Sequence, residues 1–169
     1  MTREDRPAGT ADVFAAVYER EHAPTVRLAW RLTGDRQVAE EIAHDAWVNT
    51  YRRVQRQPIN DLVPYVRRAV VNGARDAGRR GVLERGYLWA AGRERSVVAD
   101  EPAAIGERMA LTDCLQRLPQ RTAIVLRFYS DLSVKDTAAA MGVAEGTVKS
   151  SVSKGLIQLR TMWGEDGNV

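Results

Sequence analysis

Residues Ser133–Arg160 read SVKDTAAAMGVAEGTVKSSVSKGLIQLR, and the fold turns on this stretch. Ser133 is placed to cap a helix, with Asp136 three residues on as the acid of a capping box. Gly142 suits a left-handed helix stop, and Val143 restarts the apolar pattern. Beyond Ala144, Val148, Val152, Leu156 and Leu159 recur at helical spacing. The other face then carries Thr147, Lys149, Ser150, Ser153 and Lys154: two cations, small hydroxyls and no acid. A helix lying in a DNA major groove needs such a face. The pattern predicts a helix-turn-helix, and an ordinary helical hairpin with a solvated polar face would share it.

Working toward the N-terminus, Arg108–Leu118 and Gln120–Tyr129 read as two further helices separated by Pro119. Before them, Gly81–Gly106 loses periodicity and gathers Gly, Ala, charge and Pro102. It reads as a linker, with a short helical piece around Tyr87–Ala91. The N-terminal part is helical again. Asp12 caps a first helix, Pro24 marks a new first turn or a kink, and Thr33-Gly34 stops the second segment. Asp35 caps an amphipathic helix whose apolar stripe is Ala39, Ile42, Ala43, Ala46, Trp47, Thr50, Tyr51 and Val54. Glu40, Glu41, His44 and Asp45 lie opposite, followed by Arg52, Arg53 and Arg56, an order that also complements the helix dipole. After Gln57–Asn60, Asp61 starts a helix with Pro64 in its first turn, running to about Arg80. Gly73 stands inside it, where glycine costs about 1 kcal/mol relative to alanine unless a close helix contact requires it.

The expected architecture is all-α: two small helical domains on a linker, the second holding the helix-turn-helix. The divisions are a leader 1–11, a first domain 12–80, a linker 81–106, a second domain 107–163 and a polar tail 164–169. The net charge of +3 is distributed unevenly. Val13–Arg80 holds 12 basic and 8 acidic residues, Glu107–Trp163 holds 8 and 5, and the connector is slightly acidic. Two basic blocks suit a polyanion touched at two places.

Several function classes lose support. No apolar run approaches the roughly 18 residues of a membrane span, and the polar N-terminus is unlike a signal peptide. A single cysteine, Cys114, sits in the pattern Leu111, Cys114, Leu115, Leu118 and reads as a buried structural thiol in a reducing, cytoplasmic setting. Two histidines, His22 and His44, and one cysteine do not make a zinc site. There is no phosphate-cradling glycine loop and no serine-centred elbow. The expectation is a binding protein with no metal, no cofactor and no catalytic residue.

Two stretches resemble one family. LAWRLTGDRQVAEEIAHDAWVNTYRR (28–53) with YVRRAVVNGARD (65–76) resembles region 2 of bacterial extracytoplasmic-function sigma factors. CLQRLPQRTAIVLRFYSDLSVKDTAAAMGVAEGTVKSSVSKGLIQLR (114–160) resembles their region 4. They occur in the family's order across a short connector. The resemblance implies a non-catalytic initiation subunit that binds core RNA polymerase, through the β′ clamp helices and the β subunit, and promoter DNA. It allows an anti-sigma partner and no membrane insertion. In that reading Glu40, Glu41, Ile42 and Asp45 dock on the β′ clamp helices. Arg67, Arg68, Asn72, Arg75 and Arg79 contact the −10 region beside a base-side loop at Gln57–Asp61. Lys149, Ser150 and Ser153 read −35 bases, flanked by Thr147 and Lys154 on phosphates. The chain departs from the family pattern at His44 (commonly Gln), Tyr65 (often Trp), Gly73 (usually Leu), Ala144 (commonly Ser) and Ser151 (often Arg). Losing a cap serine and a cation predicts weak DNA binding by region 4 alone and a larger share for avidity. The rivals are a stand-alone helix-turn-helix regulator and a polymerase-binding protein that no longer reads promoters.

Overall fold

A computed structural model of the chain describes residues 10–57, 59–90 and 114–166, and these are helical with no strand. Helix α1 (Thr10–Thr33) is continuous, with Pro24 inside it and Asp12 in its first turn. Of the two readings at Pro24, a new first turn is absent, since the helix runs on through it. A proline inside a helix costs roughly 3 kcal/mol, and burial of Thr25, Leu28, Ala29 and Leu32 immediately beyond it works against that cost. Gly34, at φ +74°, then ends α1, its N–H donating to Trp30 O at 2.7 Å.

Asp35 caps α2 (Arg36–Val54) as expected, its carboxylate accepting from the Val38 N–H at 3.0 Å. Asp61 likewise accepts from Val63 N–H at the start of α3 (Leu62–Ala90). That helix continues ten residues past Arg80, so its end lies inside the stretch read as linker. Helices α1 to α3 enclose one core made of Leu28, Leu32, Ala39, Ala46, Trp47, Val66, Val70 and Val71. Gly73 is explained here. A Cβ at this position would stand 2.9 Å from Ile42 Cγ2, so glycine is what lets α3 close on α2.

The C-terminal half opens with a helical turn at 114–117, and Pro119 separates it from α4 (Arg121–Ile124). Helix α4 widens directly into a π-turn at Val125–Tyr129, where Ser130 N–H reaches back to Val125 O at 3.1 Å. The helix-turn-helix follows as α5 (Val134–Met141) and α6 (Glu145–Asp166). Ser133 Oγ accepts from the Asp136 N–H at 3.0 Å, and its own hydroxyl donates to Asp136 Oδ2 at 2.6 Å. Gly142 takes φ 65°, and Val143 N–H closes the α5 terminus onto Ala138 O. Val148 is fully buried at the hinge of the motif. Helix α6 extends through Asp166, into the segment expected as tail.

The halves are not held apart. Val70, Val71 and Ala74 of α3 belong to one apolar cluster with Ala123, Leu126, Leu132, Ala138 and Met141 of the C-terminal half. Three polar contacts tie the same boundary. Arg75 donates to Met141 O at 2.7 Å, Gln116 donates to Arg31 O at 2.9 Å, and the Arg31 guanidinium lies 3.9 Å from the Tyr129 ring centroid.

Candidate nucleic-acid and protein interfaces

The acidic surface is a product of α2's amphipathicity. Because Ala39, Ile42, Ala43 and Ala46 are buried, Glu40, Glu41, His44 and Asp45 are turned to solvent. Glu40 pairs with Arg36 at 3.1 Å and Glu41 accepts from Gln37 at 3.3 Å, both one turn back on the same helix. Such exposed pairs hold little energy and break readily for a partner. Asp45 has no ionic partner among the described residues. Ile42 is only 8% exposed and seats on Gly73, so it lies beneath this face rather than on it.

Helix α3 carries the arginine stripe. Arg68, Asn72, Arg75 and Arg79 are spaced four, three and four residues apart and so share one side. Arg68, Asn72 and Arg79 are exposed, whereas Arg67 and Arg75 are half-buried. Arg79 is ion-paired with Asp76. Arg67 lines a cavity of about 340 Å³ with Val63 and Val66 of α3, Arg27 of α1 and Trp47 of α2. Tyr129 and Ser130 close that cavity from the C-terminal half. Tyr65 is 40% exposed beside it in sequence but does not line it.

On α6 the expected reading surface is displayed without obstruction. Thr147, Lys149, Ser150, Ser153 and Lys154 are all exposed, opposite the buried Val148 and Gly155. The Ser150 hydroxyl is turned inward to its own helix, donating to Thr147 O at 3.0 Å. Ala144 offers no side-chain oxygen, so the first α6 amides have only the backbone: Thr147 and Val148 N–H both point to Ala144 O. Ser151 is half-buried and faces α3 across a cleft instead of standing among the exposed residues of α6.

Sequence reasoning missed the residues that join the halves: Arg31, Gln116 and Tyr129. They carry no periodic signal, since each sits at the margin of its own apolar stripe. Gly155 was detectable. A glycine inside a helix marks close approach, and a Cβ there would meet Gln120 and Ile124 at 3.1 Å. Among the described residues no cluster of His, Cys, Asp or Glu could hold a metal ion. No described helix is long and apolar enough to cross a membrane.

Two family models match the chain in succession: sigma-70 region 2 over residues 17–82 and sigma-70, region 4 over residues 108–159. Similar proteins include the ECF RNA polymerase sigma factor SigM of Mycobacterium tuberculosis, 31% identical over 160 residues, spanning 93% of this chain and 80% of that protein. The RNA polymerase sigma-E factor of Streptomyces coelicolor is 31% identical over 140 residues, spanning 80% of this chain and 77% of its own. In fold the chain is similar to the sigma factor RpoE, solved in complex with the anti-sigma factor NepR from Bartonella quintana. That likeness has a TM-score of 0.74 at 24% identity and covers 90% of this chain and 97% of the other. CnrH, solved with the cytosolic domain of CnrY, gives a TM-score of 0.70 at 17% identity over 94% and 92%.

Proposed function

The chain belongs to the sigma-70 family as an extracytoplasmic-function sigma factor, and from that membership we propose how its surfaces divide the work of initiation. A sigma factor directs core RNA polymerase to promoters, and both promoter-facing regions are present here in order. The observation that carries the assignment of tasks is the separation of charge by element: acids on α2, arginines on α3, and an acid-free polar face on α6.

The α2 acids Glu40, Glu41 and Asp45 are the docking charges for core polymerase, at the β′ clamp helices. Opposite charge steers the encounter and fixes the register. Ile42 contributes from below, by setting the height of α2 over α3. Arg67, Arg68, Asn72, Arg75 and Arg79 hold the −10 region by phosphate contact, next to the Gln57–Asp61 loop. Lys149, Ser150 and Ser153 read the −35 element from the major groove, while Thr147 and Lys154 position the helix on phosphates. The polymerase supplies the chemistry, so the chain itself is a non-catalytic subunit and works in the cytoplasm. An anti-sigma partner, such as the one held by the similar RpoE, belongs to the same proposal. The functional units are taken as 12–80 and 107–163.

Run-off transcription with purified core polymerase on a genomic promoter library tests the reading. Transcripts that require this chain and begin downstream of a shared pair of elements are expected. A library yielding none would falsify it.

A further inference from the structure

We propose that the arginine-lined cleft between α3 and the C-terminal half is a binding site for a small polyphosphate anion, the group shared by inorganic triphosphate and the nucleoside triphosphates. The cleft has a volume of about 940 Å³, within the range of small-ligand sites, which runs from about 300 to 1,000 Å³. Arg75 and Arg79 reach it from α3, and Arg117 and Arg121 from the C-terminal half. Ala74, Leu118 and Met141, which also line it, are buried. Arg79 and Arg117 are exposed, and Arg75 and Arg121 half-buried, so cations rim an apolar floor.

Charge selects the ligand. Among the described residues no carboxylate lines the cleft. Arg79 is paired with Asp76, which lies outside the lining, and Arg117 has no ionic partner among the described residues. Like charges gathered in a concave site repel one another and focus a positive field on whatever enters. A single phosphate brings a charge of only about −1.5 to −2, whereas linked phosphates bring several charges in one compact group. A nucleic-acid strand spreads its charges along its length, one to each phosphate, and offers the cleft fewer at a time. Guanidinium forks pair with two oxygens at once, which suits phosphate.

Two of the arginines are already positioned. Arg75 donates to Met141 O at 2.7 Å, and Arg121 donates to Gln116 O at 2.8 Å. A guanidinium carries five N–H donors, so a carbonyl that takes one fixes the head without exhausting it. Less ordering then remains to be done on binding. Thr122 and Ser151 add hydroxyls to the lining, and neither has a hydrogen-bond partner among the described residues. Ser151, turned away from the α6 reading face, has a use here as a phosphate donor. Arg75 and Arg79 also belong to the proposed −10 set, so a bound polyphosphate competes with a promoter strand for them. That consequence rests on the −10 assignment, and the site itself does not.

The test is calorimetric titration of the free full-length chain at fixed ionic strength, with sodium triphosphate, ATP and sulfate in separate runs. Triphosphate should bind one to one and about tenfold or more tighter than sulfate. Equal affinity for ATP would assign recognition to the phosphates alone, and tighter ATP binding would add the nucleoside over the apolar floor; both uphold the site. Arg117→Gln changes an exposed side chain and should weaken triphosphate about five- to tenfold, while Arg117→Lys should restore part of that by charge without the fork. Ser151→Ala should weaken it about two- to threefold. Arg160, exposed on α6 and outside the lining, supplies the control. Arg160→Gln should change the affinity by less than about twofold, since a distant charge is screened. Triphosphate that binds no tighter than sulfate, or that is weakened as much by Arg160→Gln as by Arg117→Gln, would reduce the site to diffuse attraction by a basic surface and overturn it. A short single-stranded oligonucleotide that binds more tightly than triphosphate, and loses as much in Arg117→Gln, would give the cleft to a nucleic-acid strand and overturn the small ligand.

Discussion

Lys149 is an exposed cation on the α6 face proposed to read bases, and its role separates into two measurable forms. If it donates to guanine O6 or N7, Lys149→Ala should lower transcription unevenly across −35 variants, by about 1–3 kcal/mol at one base position and little elsewhere. A uniform loss with a shallower salt slope would reassign it to phosphate. Asp45 is the acid on α2 without an ionic partner among the described residues, so charge reversal there acts on the partner and not on the helix. Asp45→Lys is expected to weaken core-polymerase binding by about 1.5 kcal/mol or more with the circular dichroism unchanged; native affinity in that variant would remove Asp45 from the docking face. Gly73 gives a prediction of inverted sign. In an ordinary mid-helix site Gly→Ala gains about 1 kcal/mol, but here the new methyl group meets buried Ile42 Cγ2 at 2.9 Å. Gly73→Ala should therefore lower the melting temperature, by overpacking that typically costs about 1–3 kcal/mol, and combined with Ile42→Ala it should cost less than the sum of the two single losses. Purely additive losses would mean that the two residues do not share that space.

At the scale of elements, the sequence announces what is local and conceals what depends on a neighbour. The caps at Asp35, Asp61 and Ser133 and the stops at Gly34 and Gly142 are legible because each is chemistry within a few residues. The continuity of α1 through Pro24 and of α3 to Ala90 is not, because local propensity argued for breaks at both places. The π-turn at Val125–Tyr129 has no period of its own in the sequence, so it reads as ordinary helix. The site surfaces were more legible than the fold's joints: the stripes on α2, α3 and α6 follow directly from helical spacing, while Ile42's inward position needed the α2–α3 approach to be known. The uncapped start of α6 carries the element-scale prediction. Ala144→Ser gives the Thr147 or Val148 region a side-chain acceptor it lacks, worth about 1 kcal/mol, or about 2–4 °C in melting temperature for a chain of this size. The same substitution should strengthen −35 binding modestly. An unchanged melting temperature would mean that the amides are already satisfied by water at no net cost.

At the scale of the whole molecule, closure sets charges against apolar burial. The cleft between α3 and the C-terminal half is lined by Arg75, Arg79, Arg117 and Arg121, and among the described residues no carboxylate lines it. Asp76 compensates Arg79 from outside the lining, and the Arg121 guanidinium donates to Gln116 O at 2.8 Å. Closing thus brings the α3 arginines toward Arg117, and their repulsion opposes the apolar contact that Val70, Val71 and Met141 provide. Repulsion across solvent is screened over about 30 Å at 0.01 M salt and about 3 Å at 1 M, whereas apolar burial is not weakened by salt in this range. The free chain should therefore become more compact as salt rises, opposite to the response expected of a structure held by surface ion pairs. Arg117 is exposed and belongs to none of the proposed polymerase or promoter contacts, so Arg117→Gln removes one repelling charge and leaves those contacts intact. Its radius of gyration at low salt should already match that of the native chain at high salt, with a flatter salt response between. A native chain that expands with salt, or an Arg117→Gln chain that follows the native curve, would show that the arginines do not oppose the apolar contact between the halves.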